Sequence, residues 1–576
     1  MPKTRKDFLK ETGFLAAGMV TGGFGARTFT SSAYSGKTAI LPGSESSADL
    51  VIIGGGTGGC AAALSALKLG LSVIMTEPTD WIGGQLTSQA VPPDENPWVE
   101  DFGASRSYQQ YRRDVRDYYR RNYPLIDSLK NEEFLNPGDG WVSRIAHEPQ
   151  VSVAVLEAML AKWISSRQLR ILREHVPVTA ETVGDHFRSI TVQNANTGSH
   201  LLLTAPWFID ATEKGDLLKL GNVEYVLGAE GRDETGEPHA PEQADPGNVQ
   251  AFNLCFLLEY IDGENYTIEQ PQQYDFWRNY TPNISPPWPG PLFSLTYTHP
   301  MTLEPRTLPF DPLDQDGWWA YRQVLNHNNF EPGFYRGPIA CINWPQHAYL
   351  EGKLVDEPED VVQHHLNQAV QLNLSLIYWL QTEAPRPDGG YGWPGLRLRG
   401  DIFNTKHGMA KHAYIRESRR IKAKFTVLEQ HVGTEARMEE TGLGREEVRA
   451  YEFEDSIGIG AYRIDLHPST KGNNYIDISS LPFQIPLGSL IPQRVRNMIP
   501  ACKNIGTTHI TNGCYRLQPV EWNIGESAGA FIAFCKNNKL EPHQVYEQSS
   551  RVREFQSILT DLGVRLSWPQ EKVHAL

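Results

Sequence analysis

Residues 49–59 read DLVIIGGGTGG, a short apolar run followed directly by a glycine-rich segment. The apolar run predicts a buried parallel strand, and Gly54, Gly56 and Gly59 match the spacing G-x-G-x-x-G. The first glycine permits a tight turn, the second lets a pyrophosphate approach the backbone, and the third lets the next helix lie close to the strand. Residues 60–69, rich in Ala and Leu, predict that helix, with its N-terminus toward the phosphates. This segment therefore predicts an α/β fold that binds a dinucleotide.

A second predicted strand, residues 71–76, ends at Glu77. An acidic side chain here can accept hydrogen bonds from both hydroxyls of an adenosine ribose, and it would repel a 2′-phosphate. The sequence therefore disfavours NADP. A second G-x-G-x-x-G between a strand and a helix is missing from the sequence, so we do not expect a tightly bound nicotinamide as electron acceptor.

Three later segments favour FAD over NAD. Gly83-Gly84-Gln85 fits a second close approach of the backbone to a ligand; residues 207–216, WFIDATEKGD, predict a strand that ends in a polar turn; and residues 525–530, GESAGA, predict the start of a small-residue helix. With further blocks, these segments resemble the FAD-dependent oxidoreductase family over residues 48–535. The further blocks are HEP (147–149), YIRESRR (414–420), DLHP (465–468), IPL (485–487) and RLQP (516–519).

The resemblance implies an α/β protein with a Rossmann-type FAD-binding domain, similar to that of glutathione reductase, into which an α+β substrate domain is inserted. In such families the Asp-Ala-Thr strand closes the first FAD segment, a strand like that at residues 169–178 contacts adenine, and the C-terminal helix points its N-terminus at the flavin pyrimidine. Glu213 and Cys502 stand where the family often has glycine. From the motif and the resemblance together, the residues expected to bind FAD are Gly54, Gly56, Thr57, Gly58, Gly59, Glu77, Gly84, Gln85, Val178, Asp210, Ala211, Thr212, Gly525 and Glu526.

The chain of 576 residues is long enough for several domains. Residues 226–480 contain more proline and aromatic residues than the flanking segments and interrupt the two parts of the flavin fold. We therefore expect five regions: an export signal at 1–33, the first part of the FAD-binding domain at 48–225, the substrate domain at 226–480, the second part of the FAD-binding domain at 481–540, and a helical tail at 541–576.

Helix predictions outside the motif follow from residue periodicity. Residues 150–166 and 361–382 predict helices, and residues 542–576 predict one more. Residues 100–123 contain six arginines and predict a surface helix with a solvated, mixed-charge face.

Five residues are candidates for catalysis at the flavin. His509 and Tyr515 lie in a predicted loop, residues 507–518, that we expect to pass close to the isoalloxazine ring; His509 is the natural base because histidine titrates near neutral pH. His467 is a second candidate base. Arg516 and Arg416 can anchor the substrate or the flavin, since a guanidinium binds a carboxylate or carbonyl through two parallel hydrogen bonds.

The leading functional hypothesis is an enzyme that transfers two electrons, as a hydride to flavin N5, from a small organic substrate such as an alcohol or a sugar-like compound. The sequence leaves the oxidation of an amine or of a saturated C–C bond open as well. Oxygen, a quinone or a carrier protein remain open as the electron acceptor. Two other hypotheses are open: a non-catalytic secreted binding protein on a flavoprotein scaffold, and an NAD-dependent dehydrogenase.

Charge and cysteine content restrict the partners. The net charge of −15 argues against nucleic acid, which needs a basic surface. The six cysteines form no C-x-x-C pair, so we expect buried free thiols and no zinc site. Past residue 40, no segment is long and apolar enough to span a bilayer. Residues 4–10, TRKDFLK, resemble a twin-arginine export signal with Lys6 at the second arginine position, which predicts an exported, periplasmic protein.

Overall fold

The computed structural model describes residues 45–314 and 316–576. The predicted export signal at 1–33 lies outside the described residues. No helix within the described ranges is long and apolar enough to cross a membrane.

A parallel sheet of five strands forms the centre of the region that contains the glycine-rich segment. Its central strand, Leu50–Ile53, is fully buried because both faces of the sheet are covered. Leu50 and Ile52 pack on the helices of one face, whereas Val51 and Ile53 pack on a second sheet. In spatial order the strands are Met498–Pro500, Trp207–Asp210, Leu50–Ile53, Val73–Glu77 and Leu169–Arg173.

Two helices cross closely on one face of this sheet. We call Thr57–Lys68 the dinucleotide helix and Gln518–Asn538 the buried helix. A Cβ on Gly525 would lie 2.0 Å from the carbonyl oxygen of Gly58, and one on Gly529 would lie 2.1 Å from that of Ala62. Glycine at both positions therefore lets the two helix backbones touch.

The second sheet covers the other face of the parallel sheet. It joins four strands in the order Glu45–Ser47, His200–Thr204, His186–Asn194 and His175–Val183. The predicted single strand at 169–178 is therefore two strands, which part at Glu174, a residue with a left-handed backbone (φ +60°). The parallel sheet lies between the helices on one face and the second sheet on the other, which confirms the predicted Rossmann-type α/β fold.

The inserted region has its own antiparallel sheet and its own apolar core. The sheet has the order Gln323–Leu325, Ile339–Ile342, Phe256–Tyr260 and Leu396–Leu398. The helix Glu359–Thr382, predicted at 361–382, packs on this core, which contains seven buried tryptophans among other residues. The tryptophans are Trp277, Trp288, Trp318, Trp319, Trp344, Trp379 and Trp393. Most aromatic residues of the insertion are thus core residues rather than a stacking surface.

The remaining elements are short or peripheral. The further helices are Arg106–Asn122, Pro149–Ser165, Asp216–Leu220, Arg232–Thr235, Tyr274–Asn279, Gly317–Tyr321, Gly400–Phe403, Glu429–Val432, Thr434–Thr441, His509–Tyr515, Pro542–Tyr546 and Ser549–Leu562. The 3-10 turns are Gly84–Leu86, His327–Asn329, Pro345–His347, Leu487–Leu490 and Gln570–Lys572. The further strands are Tyr225–Val226, Thr296–Thr298, Pro305–Thr307, Arg420–Ile421, Ser456–Gly460, Ile464–Leu466, Ile476–Ile478 and Phe483–Pro486.

Two predictions about helices are wrong. The C-terminal tail contains two helices and a 3-10 turn instead of one helix. The predicted surface helix at 100–123 buries Arg112 and Arg116, because both reach the carboxylate of Glu100 and Arg112 also reaches Glu95. The six cysteines are buried thiols, as predicted.

Candidate active site

A cavity of about 810 Å³ opens at the carboxyl ends of the parallel strands. Ligands of open parallel sheets bind at this edge, and the volume falls in the range of ligand pockets. One wall comes from the glycine-rich loop and the strand ends; the other comes from residues 359–370 and 407–415 of the insertion. Of the residues predicted to bind FAD, the cavity wall includes Gly54, Gly56, Glu77, Gly84, Val178, Ala211 and Thr212.

Gly54, Gly55 and Gly56 of the glycine-rich loop line this cavity with backbone atoms. Gly54 has φ +102°, and a Cβ there would lie 2.2 Å from the carbonyl oxygen of Ala211. Gly84 has φ +54°, and its Cβ would lie 2.8 Å from the Cα of Gly56. The hydroxyl of Thr57 donates to the carbonyl oxygen of Gly83 at 2.9 Å, which ties the two glycine segments together. These glycines let a pyrophosphate approach main-chain atoms, and Oε1 of Glu213 lies beside them, 3.1 and 3.0 Å from where a Cβ on Gly56 and on Gly84 would stand.

Glu77 ends the second parallel strand inside the cavity. Its Oε1 accepts hydrogen bonds from the amide and hydroxyl of Thr79, at 2.9 and 2.7 Å. Its Oε2 lies 3.0 Å from where a Cβ on Gly55 would stand, so the second oxygen is next to the glycine-rich loop. The position is the one at which a carboxylate can bind the hydroxyls of an adenosine ribose. Burial raises the pKa of Glu77 to about 8.

This raised pKa predicts a pH dependence of the stability of the FAD-free protein. A carboxyl group whose pKa is higher in the folded chain stabilises the fold below its unfolded pKa, and this stability is lost as the pH rises through the folded pKa. We expect the unfolding free energy of the wild type, relative to Glu77→Gln, to fall by about 1 kcal/mol per pH unit approaching pH 8. Urea unfolding of both proteins from pH 6 to 8.5 measures the difference. A difference that stays constant or grows with pH would contradict the assignment.

Several residues predicted to bind FAD lie behind the cavity wall. Thr57, Gly58, Gly59 and Gln85 pack around the start of the dinucleotide helix and do not line the cavity. The carboxylate of Asp210 accepts hydrogen bonds from the amides of Thr212 and Leu217, both at 3.0 Å. Asp210 therefore shapes the turn that carries Ala211 and Thr212 into the wall.

The predicted helix start at Gly525 is wrong. The buried helix begins at Gln518, so Gly525 and Glu526 lie in its third turn, where no N-terminus is available for the flavin. Gly525 instead provides the close contact with Gly58. Glu526 is fully buried, which raises its pKa, and it does not line the cavity.

Three charged side chains, Lys503, Glu213 and Glu521, lie around the glycine-rich loop. Lys503 follows the last parallel strand and forms an ion pair with Glu213, which lines the cavity. Glu521 of the buried helix accepts hydrogen bonds from the amide of Gly58 at 3.2 Å and from Nε2 of Gln85 at 2.6 Å. Burial raises the pKa of Glu521 to about 7; burial also opposes ionisation of Glu213, but the adjacent Lys503 lowers its pKa. Lys503 therefore faces two carboxyl groups beside the loop and pairs with one of them, Glu213.

The predicted catalytic residues divide into separate groups. Arg516 and His467 meet at Asp465, with Arg516 Nη2 3.0 Å and His467 Nε2 3.5 Å from its Oδ2. Arg416 belongs to the same cluster, since its charge acts on both Asp465 and His467. Ala413 and Ile415, which precede Arg416 in the chain, line the cavity. The cluster therefore lies behind that part of the cavity wall.

His509 and Tyr515 lie apart from this cluster. They belong to the helix His509–Tyr515, so the predicted loop is wrong. Nδ1 of His509 lies 2.8 Å from Oε1 of Glu417, whose pKa is lowered to about 2: burial opposes this shift, but His509, the charge of Arg420 and the amide of Gln250 together outweigh it. The hydroxyl of Tyr515 donates to the carbonyl oxygen of Gln484 at 2.7 Å, and its ring stacks on that of Phe483. These contacts give Tyr515 a role in packing the fold.

Comparison with known proteins identifies the family. The profile described as FAD dependent oxidoreductase matches residues 49–559. No curated protein matches the chain.

Solved structures similar to this chain are distant. L-proline dehydrogenase from P. horikoshii is 18% identical, with 34% of this chain and 26% of that chain covered and a TM-score of 0.17. The rebeccamycin biosynthetic enzyme RebC with reduced flavin is 16% identical, with 37% and 38% covered and a TM-score of 0.22. The myxobacterial chondrochloren halogenase CndH is 10% identical, with 90% and 83% covered and a TM-score of 0.31. The chain thus spans less than two fifths of the first two proteins, and these likenesses carry no argument about activity.

Proposed function

The chain belongs to the FAD-dependent oxidoreductase family, and we propose that it removes two electrons, as a hydride, from a small organic substrate that carries a hydroxyl group, such as an alcohol or a sugar-like compound. The observation that carries this proposal is the cavity in which the glycine-rich loop, Glu77 and Thr212 face the inserted unit. FAD is the cofactor of the family, and when bound it supplies the hydride-accepting N5.

The residues of the cavity fit FAD. Glu77 would bind the ribose, and the bare backbone at Gly54 and Gly56 would bind the pyrophosphate. Val178 in the second sheet would contact the adenine. These roles follow from the wall residues and their chemistry, and the NAD-dependent alternative is disfavoured because the family uses FAD.

His467 is the residue that we propose to accept the proton of the substrate hydroxyl. Burial lowers its pKa to about 4, so the ring is neutral at pH 7. Its Nδ1 is buried and has no hydrogen-bond partner among the described residues, while Nε2 faces Asp465. A neutral imidazole that is oriented by a carboxylate and has a free nitrogen can act as a general base. This arrangement favours His467 over His509, whose Nδ1 is bound to Glu417.

Replacement of His467 tests this role. We expect His467→Gln to slow substrate-dependent bleaching of the flavin at least about a hundredfold, because general base catalysis contributes that much. FAD content should stay at the wild-type level. The control is His186→Gln, which alters a half-exposed histidine paired with Glu541. A rate for His467→Gln within threefold of wild type would exclude the role.

A substrate screen tests the proposed reaction itself. The FAD-loaded protein is mixed anaerobically with alcohols, sugars and sugar acids while the flavin absorbance is followed. We expect at least one of these compounds to bleach the flavin. Oxygen or a quinone is then added, and the flavin absorbance returns if the added compound is an electron acceptor. If neither restores the absorbance, a carrier protein is the expected acceptor. Flavin that dithionite reduces but that none of the compounds reduces would support the non-catalytic binding protein instead.

We also propose that the protein is exported to the periplasm. The support is the twin-arginine-like pattern at residues 4–10. Fractionation of cells that express the full chain should place it outside the cytoplasm, and Arg5→Gln with Lys6→Gln should retain it inside. Equal distribution of both proteins would exclude this route.

A further inference from the structure

A cluster of buried arginines lies behind the cavity wall. It contains Arg322, Arg416 and Arg516 with the carboxylates of Asp94 and Asp465. Arg516 is held by Asp465 and by the hydroxyl of Tyr414, which accepts from Nη1 at 2.6 Å. Arg322 Nη2 lies 3.4 Å from Asp94 Oδ1. The three cations come from the insertion and from the second part of the flavin fold, so the cluster lies where the two regions meet.

Arg416 is the cation without a carboxylate of its own. Its Nη1 donates to the carbonyl oxygen of Ala251 at 2.8 Å and to Oδ1 of Asn253 at 2.6 Å. In the part of the chain that the structure describes, it forms no ion pair. Its guanidinium lies over the ring of Tyr414, 4.8 Å from the centroid. A charge in such an environment is costly unless an anion joins it.

Several polar atoms of the cluster are buried and have no hydrogen-bond partner among the described residues. They include Nε of all three arginines, Nη1 of Arg322 and Nδ1 of His467. Buried donors without partners are rare in folded proteins and indicate bound water or a ligand. Because unpartnered donors belong to three arginines of one cluster, we expect this ligand to be negatively charged.

The cluster carries an excess of positive charge. Three guanidinium groups face two carboxyl groups, burial raises the pKa of one of these, Asp94, and burial lowers the pKa values of the neighbouring His467 and His347. The side chains of Asp465 and His467 are 19% and 21% exposed, while the arginines are buried. A small anion bound among the arginines would offset the positive charge of the cluster.

We propose that this cluster binds the carboxylate of the substrate, with Arg416 as its main partner and Arg322 beside it. The substrate class is therefore a small monocarboxylate that also carries a hydroxyl group, such as a hydroxy acid or a sugar acid. A planar guanidinium binds a carboxylate through two parallel hydrogen bonds, and Nε of Arg416 is available for one of them. The inference rests on the proposed function, because His467 of the same cluster is the proposed base.

Calorimetric titration of the FAD-loaded full chain tests the site without requiring turnover. The probes are glycolate, lactate, gluconate and glucuronate, each compared with a neutral counterpart: ethylene glycol, propylene glycol, glucose or the methyl ester. We expect at least one carboxylate to bind at least about tenfold more tightly than its neutral counterpart. Carboxylates that all bind no better than the neutral compounds would overturn the inference even when the flavin is reduced by an alcohol.

Variants locate the binding. Arg416→Met should weaken carboxylate binding at least about tenfold, and Arg416→Lys should restore part of it, while the neutral compounds are unaffected. The control Arg494→Gln removes a surface arginine that pairs with Asp185 and Glu224 and should change nothing. Unchanged affinity in Arg416→Met would overturn the site. If that variant does not fold, the comparison of charged and neutral probes on the wild type decides. A protein that takes up no FAD would instead refute the proposed function.

Discussion

Gly54→Ala is expected to abolish stable FAD binding. The residue has φ +102°, which only glycine adopts readily, and the new Cβ would lie 2.2 Å from the carbonyl oxygen of Ala211 and 2.7 Å from the amide nitrogen of Thr212. Both neighbours are backbone atoms and line the cavity with Gly54, so the loop must move away from the strand end. We expect FAD affinity to fall at least about tenfold and the fold to lose about 1–3 kcal/mol.

The matched control is Gly444→Ala. Gly444 does not have a left-handed backbone, and the nearest atom to a new Cβ is 3.9 Å away, at the flexible end of Glu447. FAD titration, followed by flavin fluorescence, and thermal unfolding of both variants measure the two effects. If Gly54→Ala binds FAD as the wild type does, the glycine-rich loop is not the cofactor cradle.

Lys503→Met is expected to be the most destabilising change of a charged residue near the cavity. Lys503 is 1% exposed and forms the ion pair with Glu213, which also lies near Glu521. Without the cation, the two carboxyl groups are buried next to each other. Breaking a buried ion pair costs about 3–5 kcal/mol because the remaining charge has no partner.

A double-mutant cycle tests the cause of this loss. Lys503→Met with Glu213→Gln should recover most of the stability, because the unpaired carboxylate is removed with its partner. Urea unfolding of the four FAD-free proteins at pH 7 gives the coupling free energy. A loss of less than about 1 kcal/mol in Lys503→Met, or a double variant as unstable as the single one, would show that the pair is not coupled in this way.

The fold could be predicted because its signals are local. Residues 49–59 contain the strand, the turn and the helix start within one segment, and the strands ending at Glu77 and Asp210 are short apolar runs of the same kind. These strands also predict the position of the cavity wall, because the carboxyl ends of parallel strands meet at one edge of the sheet.

The charged parts of the site could not be predicted, because their partners are distant in sequence. Lys503 and Glu213 are 290 residues apart, and Glu521 reaches the amide of Gly58 across 463 residues. The six arginines of residues 106–121 suggested a solvated helix because the sequence does not show that Glu100 and Glu95 lie against Arg112. Asp465 precedes His467 by two residues, but its contact with Arg516, 51 residues away, is visible only in three dimensions.

Gly525 shows a different limit of sequence interpretation. A Gly-Glu-Ser-Ala-Gly segment indicated a helix N-terminus, yet Pro519 at the first turn marks the true start of the buried helix. The glycines at 525 and 529 serve the helix crossing instead. Small residues in a helix are required equally by a close helix contact and by a ligand, and the pattern alone does not distinguish the two.

The absorption spectrum of the purified protein, before and after acid precipitation, tests the central claim that the cavity holds FAD. We predict maxima at about 370 and 450 nm and release of FAD into the supernatant. A yellow precipitate would mean that the flavin is covalently attached, with the cavity still its site. A colourless protein that takes up no added FAD would contradict the account.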